Sequence, residues 1–164
     1  MARVPSELTA DEVVFLVERH LATLTTLRSD GSPHVVPVGF SYDAATATAR
    51  VICSDGTQKV RNVEATGLLG PVGSTGPVGS VGSVGPVGSV GPVGSVGSVV
   101  LCQTAGADWL SLVGRGTVLR SSEAIAEGEA RYAARYQAPA PNPHRVVIEI
   151  AVTQVLGRVR DRER

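Results

Sequence analysis

Ser54, Thr57, Gln58 and Lys59 bring two hydroxyls, an amide and an ammonium together within six residues. They lie where an apolar run, Thr48 to Cys53, is broken by Ser54-Asp55-Gly56-Thr57 and gives way to a polar helical stretch, Gln58–Ala65. Thr57 is placed to cap that helix. Donors of these types at a helix start suit a phosphate, because the unpaired amides of the first turn and the helix dipole both favour negative charge there. A second stretch with chemical potential runs from Leu24 to Phe40. Two apolar, β-branched runs flank Ser29-Asp30-Gly31-Ser32, and Asp-Gly between such runs predicts a hairpin. Pro33 and Pro37 cannot donate backbone hydrogen bonds, so the second strand must be an edge, a strand start or a bulged strand. An interrupted edge leaves backbone groups free to meet a ligand.

Other reactive groupings are missing from the sequence. It shows no Ser/His/Asp set, no paired-carboxylate motif and no metal cluster, so no catalytic side chain and no metal ligand is assigned. His20, His34 and His144 show no ligand spacing. Cys53 and Cys102 sit far apart in apolar runs and read as buried free thiols. Glu149 beside Thr153 reads as a solvated or paired carboxylate.

The elements that must position these residues can be read along the chain. Thr9-Ala10-Asp11-Glu12 fits a capping box, followed by a short helix ending near Arg19 with Val13, Val14, Leu16 and Val17 as its apolar face. His20 to Leu27 and Pro33 to Tyr42 form the hairpin, and Thr48 to Cys53 a third strand. Val99 to Thr104 and Trp109 to Leu119 pair across the turn Ala105-Gly106-Ala107-Asp108. Ser121 or Ser122 caps a helix through Arg135, with Ala126, Ala130 and Ala133 as small packing positions. Ala138-Pro139-Ala140-Pro141-Asn142-Pro143 is a stiff connector into a last strand, Arg145 to Leu156. Six strands with short helices at their ends predict a mainly β (α+β) fold, an antiparallel barrel in one domain.

One segment stands apart. Glycine recurs at every third position from Gly67 to Gly97, and residues 69–98 carry none of the thirty charged side chains. The run is too short and too valine-rich for a collagen helix, and glycine entropy disfavours a compact sheet. It reads as a flexible or polyproline-II-like, repeat-expanded insertion, with Gly67-Leu68 and Val99-Val100-Leu101-Cys102 as two halves of one interrupted strand. Fifteen basic and fifteen acidic residues balance, which gives no nucleic-acid footprint. The polar N-terminus and the lack of a spanning apolar run predict a cytoplasmic protein without a membrane segment.

Four segments together resemble a known superfamily: Phe15 to Arg28, Ser32 to Phe40, Thr57 to Asn62, and Trp109 to Gly116. Arg131 to Tyr136 and Pro141 to Glu149 extend the likeness to nearly everything outside residues 69–98. The chain is similar to the flavin/deazaflavin oxidoreductases, the split β-barrels related to pyridoxamine 5′-phosphate oxidase. Within them it resembles the actinobacterial coenzyme F420-dependent biliverdin reductases. The resemblance implies an antiparallel split barrel, a homodimer and a cofactor site at the subunit interface. Lys59, with Thr57, Gln58 and Asn62, would hold the cofactor phosphate; Val36, Pro37 and Val38 would lie along the deazaflavin, with Thr25 nearby. Arg115 and Arg145 would meet anionic groups of the cofactor tail or substrate. The implied reaction is hydride transfer from reduced coenzyme F420 to a conjugated acceptor such as biliverdin or a related tetrapyrrole. Alternatives are an FMN-dependent enzyme like the pyridoxamine-phosphate oxidases and a non-catalytic deazaflavin-binding protein. The glycine tract departs from the family pattern.

Overall fold

The computed structural model describes residues 1–67 and 96–160. A 3-10 turn, Pro5–Glu7, precedes helix α1, Ala10–Val17. Strands β1 (Ala22–Leu27), β2 (Pro33–Val38), β3 (Ser41–Asp43) and β4 (Thr48–Ser54) follow, then helix α2 (Gln58–Gly67). After residue 95 come β5 (Val96–Ala105), β6 (Asp108–Leu119), helix α3 (Ser122–Arg135) and β7 (Arg145–Arg158).

The seven strands form one antiparallel sheet in the order β2-β1-β5-β6-β7-β4-β3. Its two edge strands, β2 and β3, are consecutive in the chain and joined by Gly39 and Phe40 alone. The sheet therefore curls until its edges meet, yet β2 pairs only with β1 and β3 only with β4. The result is an antiparallel barrel with a split. Leu24, Leu101, Leu110, Leu112, Ile148 and Ile150 fill its interior, and Phe15 and Leu16 of α1 join the same core.

The β1–β2 turn forms as its sequence predicts. Gly31 has φ +82°, and the Asp30 carboxylate accepts from the Ser32 amide at 2.9 Å and the Ser32 hydroxyl at 2.6 Å. Pro33 to Tyr42 is not one strand, which is why there are seven strands rather than six. The chain leaves β1 at Val38 and joins β4 at Ser41, because Phe40 turns into the core between them.

Other boundaries also shift. Helix α1 ends at Val17, and its buried face is Glu12, Phe15 and Leu16, with Val14 and Val17 exposed. In α3 the buried position is Gly128 rather than the alanines, of which Ala126 and Ala130 are exposed. Gly67 closes α2 and is not half of a strand. Val96, Gly97 and Ser98, counted from sequence as part of the repeat, belong to β5 and pair with Thr117, Gly116 and Arg115. The rest of the repeat, and the conformation expected of it, lies outside the described residues. No described helix is long and apolar enough to cross a membrane.

A buried ion pair ties the N-terminal segment down. Glu12 is 4% exposed, and its carboxylate receives both Arg3 nitrogens, at 2.6 and 3.0 Å, and the Thr9 amide at 2.9 Å. Burial pushes the Glu12 carboxyl up, but the hydrogen bonds from Arg3 and Thr9 outweigh it and hold it below the ordinary carboxylate range. A carboxyl whose pKa is depressed by folding contributes stability above its unfolded pKa and loses it as pH falls through the folded one. Glu12→Gln is therefore expected to melt earlier than the parent at pH 7. The gap should close as both are titrated below pH ~4, the unfolded carboxylate value. A gap independent of pH, read by thermal melts across that range, would count against the ion pair as its source.

Candidate functional site

The split is where the site lies. Strand β4 pairs with β7 along its whole length, but β3 covers only Thr48–Arg50 on its other side. Val51–Ser54 thus presents a free edge, and across the gap runs the end of β2, also unpaired on that side. Two open strand edges with helix ends above them enclose a cleft of about 590 Å³, in the range of small-molecule and cofactor sites. Pro37, Val38 and Gly39 line it from β2, Ile52, Cys53 and Ser54 from β4, and Thr57 and Lys59 from the start of α2. Tyr132 of α3, the connector Gln137–Asn142 and Arg145 of β7 close the far side.

Among the described residues, no acidic side chain lines this cleft. Arg145 donates to Glu129 at 3.0 Å and to the Ala140 carbonyl at 2.7 Å, so its charge is largely spent on the wall. The Lys59 ammonium makes no hydrogen bond or ion pair among the described residues. It carries the uncompensated charge of the cleft, and its field reaches Cys53 and His34. Burial pushes the Cys53 thiol up despite that cation. His34, on the inner face of β2, has a buried Nδ1 with no partner; burial first, then Arg28 and Lys59, disfavours its charged form.

The loop carrying Lys59 is braced from both sides. The Arg120 guanidinium meets both oxygens of Asp55 at 2.8 and 2.9 Å and Glu64 at 2.7 Å. The Asp55 amide donates to the His144 carbonyl at 2.7 Å. Asn142 bridges from the connector to the Ser54 hydroxyl at 2.8 Å. The Thr57 hydroxyl donates to the Ser54 carbonyl at 2.9 Å, an orientation that spends its proton. The Ser54 hydroxyl accepts from Asn142 and keeps its own proton to donate.

Six of the eleven residues singled out from sequence meet in the cleft: Pro37, Val38, Ser54, Thr57, Lys59 and Arg145. Asn62 is 2% exposed and donates to the Thr26 hydroxyl at 2.9 Å, while Gln58 donates to Asn62 at 2.7 Å. That amide pair fastens α2 to β1, and neither residue is among those described as lining the cleft. Val36 packs against the core. Thr25 and Arg115 lie on the outer face of the sheet, with Arg115 donating to Ser98 at 2.9 Å. Sequence reading missed Gly39, Cys53, Tyr132 and Asn142. The one available signal was the proline-rich connector immediately before Arg145, whose stiffness marks a wall.

The residues match a known family. The pyridoxamine 5′-phosphate oxidase family pattern covers residues 8–158. The chain belongs to that family. Among solved structures, this pyridoxamine 5′-phosphate oxidase family member shares its fold with an F420 reductase (TM-score 0.57, 18% identity, 91% of this chain and 98% of that one). It shares it also with General Stress Protein 26 of Bacillus anthracis str. Sterne (TM-score 0.56, 14% identity, 88% of each chain). In sequence it is 43% identical over 157 residues to an F420H(2)-dependent biliverdin reductase of Mycobacterium tuberculosis (strain CDC 1551 / Oshkosh), covering 96% of this chain and 93% of that one.

Proposed function

We propose that this protein is an oxidoreductase that binds reduced coenzyme F420 in the split of its barrel and reduces a conjugated acceptor there, biliverdin or a related tetrapyrrole. The observation that carries the reading is the Lys59 ammonium at the start of a helix, without a partner or a carboxylate beside it among the described residues of the cleft. The 43% identical relative supports the choice of cofactor and acceptor class. The cleft also fits the cofactor's two characters. One end offers a cation, the free Ser54 hydroxyl proton and the first-turn amides of α2 for a phosphate; the other offers Pro37, Val38 and Ile52 for a flat apolar ring.

When bound, the deazaflavin supplies the hydride. The protein's part is to position and to dry the site. Lys59 and Ser54 hold the phosphate end, and the α2 loop, fixed by Arg120 and His144, keeps them at one depth. Pro37 and Val38 set the plane of the ring against the edge of β2. No side-chain nucleophile is required. Titration of the purified protein with coenzyme F420 and, separately, FMN tests the assignment. Quenching of F420 fluorescence together with biliverdin reduction supports it; tight FMN binding with no F420 quenching overturns it in favour of the oxidase-like alternative. F420 binding without turnover on any acceptor leaves a carrier.

The outer face of the sheet supports a homodimer. Val35, Thr25, Val100 and Val113 align in one row across β2, β1, β5 and β6, and Val35, Leu27 and Trp109 are exposed. Thr25 and Arg115 stand on this face and join a site only when a second copy docks there. The protein is expected to sediment as a dimer at micromolar concentration, and Val35→Asp as a monomer. A monomeric parent protein would overturn the assembly.

The repeat is proposed to be dispensable. Closing a longer loop costs only about 0.6 kcal/mol per doubling of its length, and none of the eleven residues singled out from sequence falls within it. Because Val96–Ser98 pairs with β6, the removable stretch is residues 69–95. The shortened chain is expected to melt no earlier than the parent and to bind F420 equally well. Loss of folding or of binding on deletion would make the tract an integral element.

A further inference from the structure

Two tyrosines one helical turn apart at the end of α3 are used in opposite ways. Tyr136 is committed to the scaffold: its hydroxyl donates to the His20 carbonyl at 2.6 Å and accepts from the Phe40 amide at 3.2 Å. Tyr132 leans on it, with ring centroids 4.8 Å apart and planes tilted by 35°, yet its own hydroxyl makes no hydrogen bond among the described residues. Among the described residues its ring is the one aromatic group in the wall of the cleft. The facing position, just past the end of β2, is Gly39, where a Cβ would stand 2.6 Å from Tyr132 Cε2 and 3.2 Å from Tyr136 Cε2. The end of β2 is thus cut back at the point where the ring leans in. Tyr136 and Arg135 between them fasten this end of α3 by hydrogen bonds, so the free Tyr132 hydroxyl is not needed for that.

On the reading of the cleft as an F420 reductase site, we propose that the Tyr132 ring is the stacking surface for the flat, conjugated acceptor. Tyr132 is then a specificity-determining residue. An aromatic face attracts a flat π-system in offset stacking. Pro139 and Pro141, beside Tyr132 in the same wall, add flat apolar surface with no N–H to satisfy. The cofactor's phosphate end lies with Lys59 on the α2 side. Loss of the ring should therefore weaken the acceptor and spare the cofactor.

The test separates those two bindings. Biliverdin is titrated into the full-length protein without cofactor, followed by its visible absorbance, and F420 into the same variants by fluorescence quenching. Tyr132→Leu, which keeps apolar bulk without a flat face, is expected to bind biliverdin about ten-fold more weakly and F420 within two-fold of the parent. Tyr132→Phe should match the parent for both. Gly39→Ala, which displaces the ring, should weaken biliverdin as Tyr132→Leu does and add nothing in the double variant. In turnover, KM for biliverdin should rise more than kcat falls. Unchanged biliverdin affinity in Tyr132→Leu overturns the proposal, as does an equal loss of both ligands. So does a loss in Tyr132→Phe as large as in Tyr132→Leu, which would place the contact on the hydroxyl. A parent protein that quenches F420 but ignores biliverdin overturns the stacking role and leaves the cofactor site standing. A parent that does not quench F420 overturns the site reading, and this inference with it.

Discussion

Arg135→Met is expected to destabilise the fold by about 3–5 kcal/mol, through the loss of several charge-assisted hydrogen bonds at once. The guanidinium donates to the Glu18 carbonyl at 2.6 and 2.9 Å, to the Phe40 carbonyl, and to Gln103 Oε1 at 2.7 Å. It also lies 4.2 Å over the centre of the Phe40 ring. Gln103 in turn donates to the Phe15 carbonyl at 2.6 Å and is 1% exposed. One side chain thus joins the end of α1, the β2–β3 joint, β5 and α3. Its desolvation disfavours the charge, and its pKa is lowered accordingly. The bonds to carbonyl dipoles offset that cost only while all of them are made. Methionine fills much of the space and leaves those oxygens without their donor. With a urea slope of roughly 1–3 kcal/mol/M, the midpoint should fall by at least about 1 M. A shift below about 0.3 M would show that water replaces the guanidinium at little cost.

Lys59→Ala is expected to leave that midpoint alone and to weaken coenzyme F420 by ten- to a hundred-fold. A charge-assisted hydrogen bond contributes roughly 1.5–3 kcal/mol, and each 1.4 kcal/mol is a factor of ten. The ammonium has no hydrogen-bond or ion-pair partner among the described residues to lose, so folding should be indifferent to its removal. Lys59→Arg should recover part of the affinity. An unchanged dissociation constant for both F420 and FMN would remove Lys59 from the phosphate site and leave the cleft without an anchor.

Local chemistry was legible in the sequence wherever a few adjacent residues decide a conformation. The capping box at Thr9, the Asp30-Gly31 turn and the Ser121 cap all form where their side chains predict. Lys59 was legible for the same reason, since its place at a helix start follows from its immediate neighbours. What sequence could not supply was the partner across space. Asn62 has the right type for a phosphate, but Thr26, thirty-six residues away, claims it inside the fold. Gly39-Phe40 reads as continuous strand because its apolar pattern is unbroken; the break comes from Arg135 and Tyr136, nearly a hundred residues later. Thr57 has cap chemistry, yet its hydroxyl turns back to Ser54. Gly67 looked like strand because the repeat hides where its neighbours change partners.

The place of β7 in the sheet fixes an order of assembly. This strand, the last in the sequence, lies between β6 and β4. As the chain leaves the ribosome, β1 and β2 can zip at once through their tight turn, and β5 and β6 through theirs. Strand β4 has only the three residues of β3 until β7 appears, about a hundred residues after it. The wall that carries Ile52, Cys53 and Ser54 is therefore set late, together with the connector and Arg145 that face it. Pairings this distant close slowly, so a nascent or truncated chain stopping before Arg145 would lack the long partner of β4 and, with it, the closed cleft.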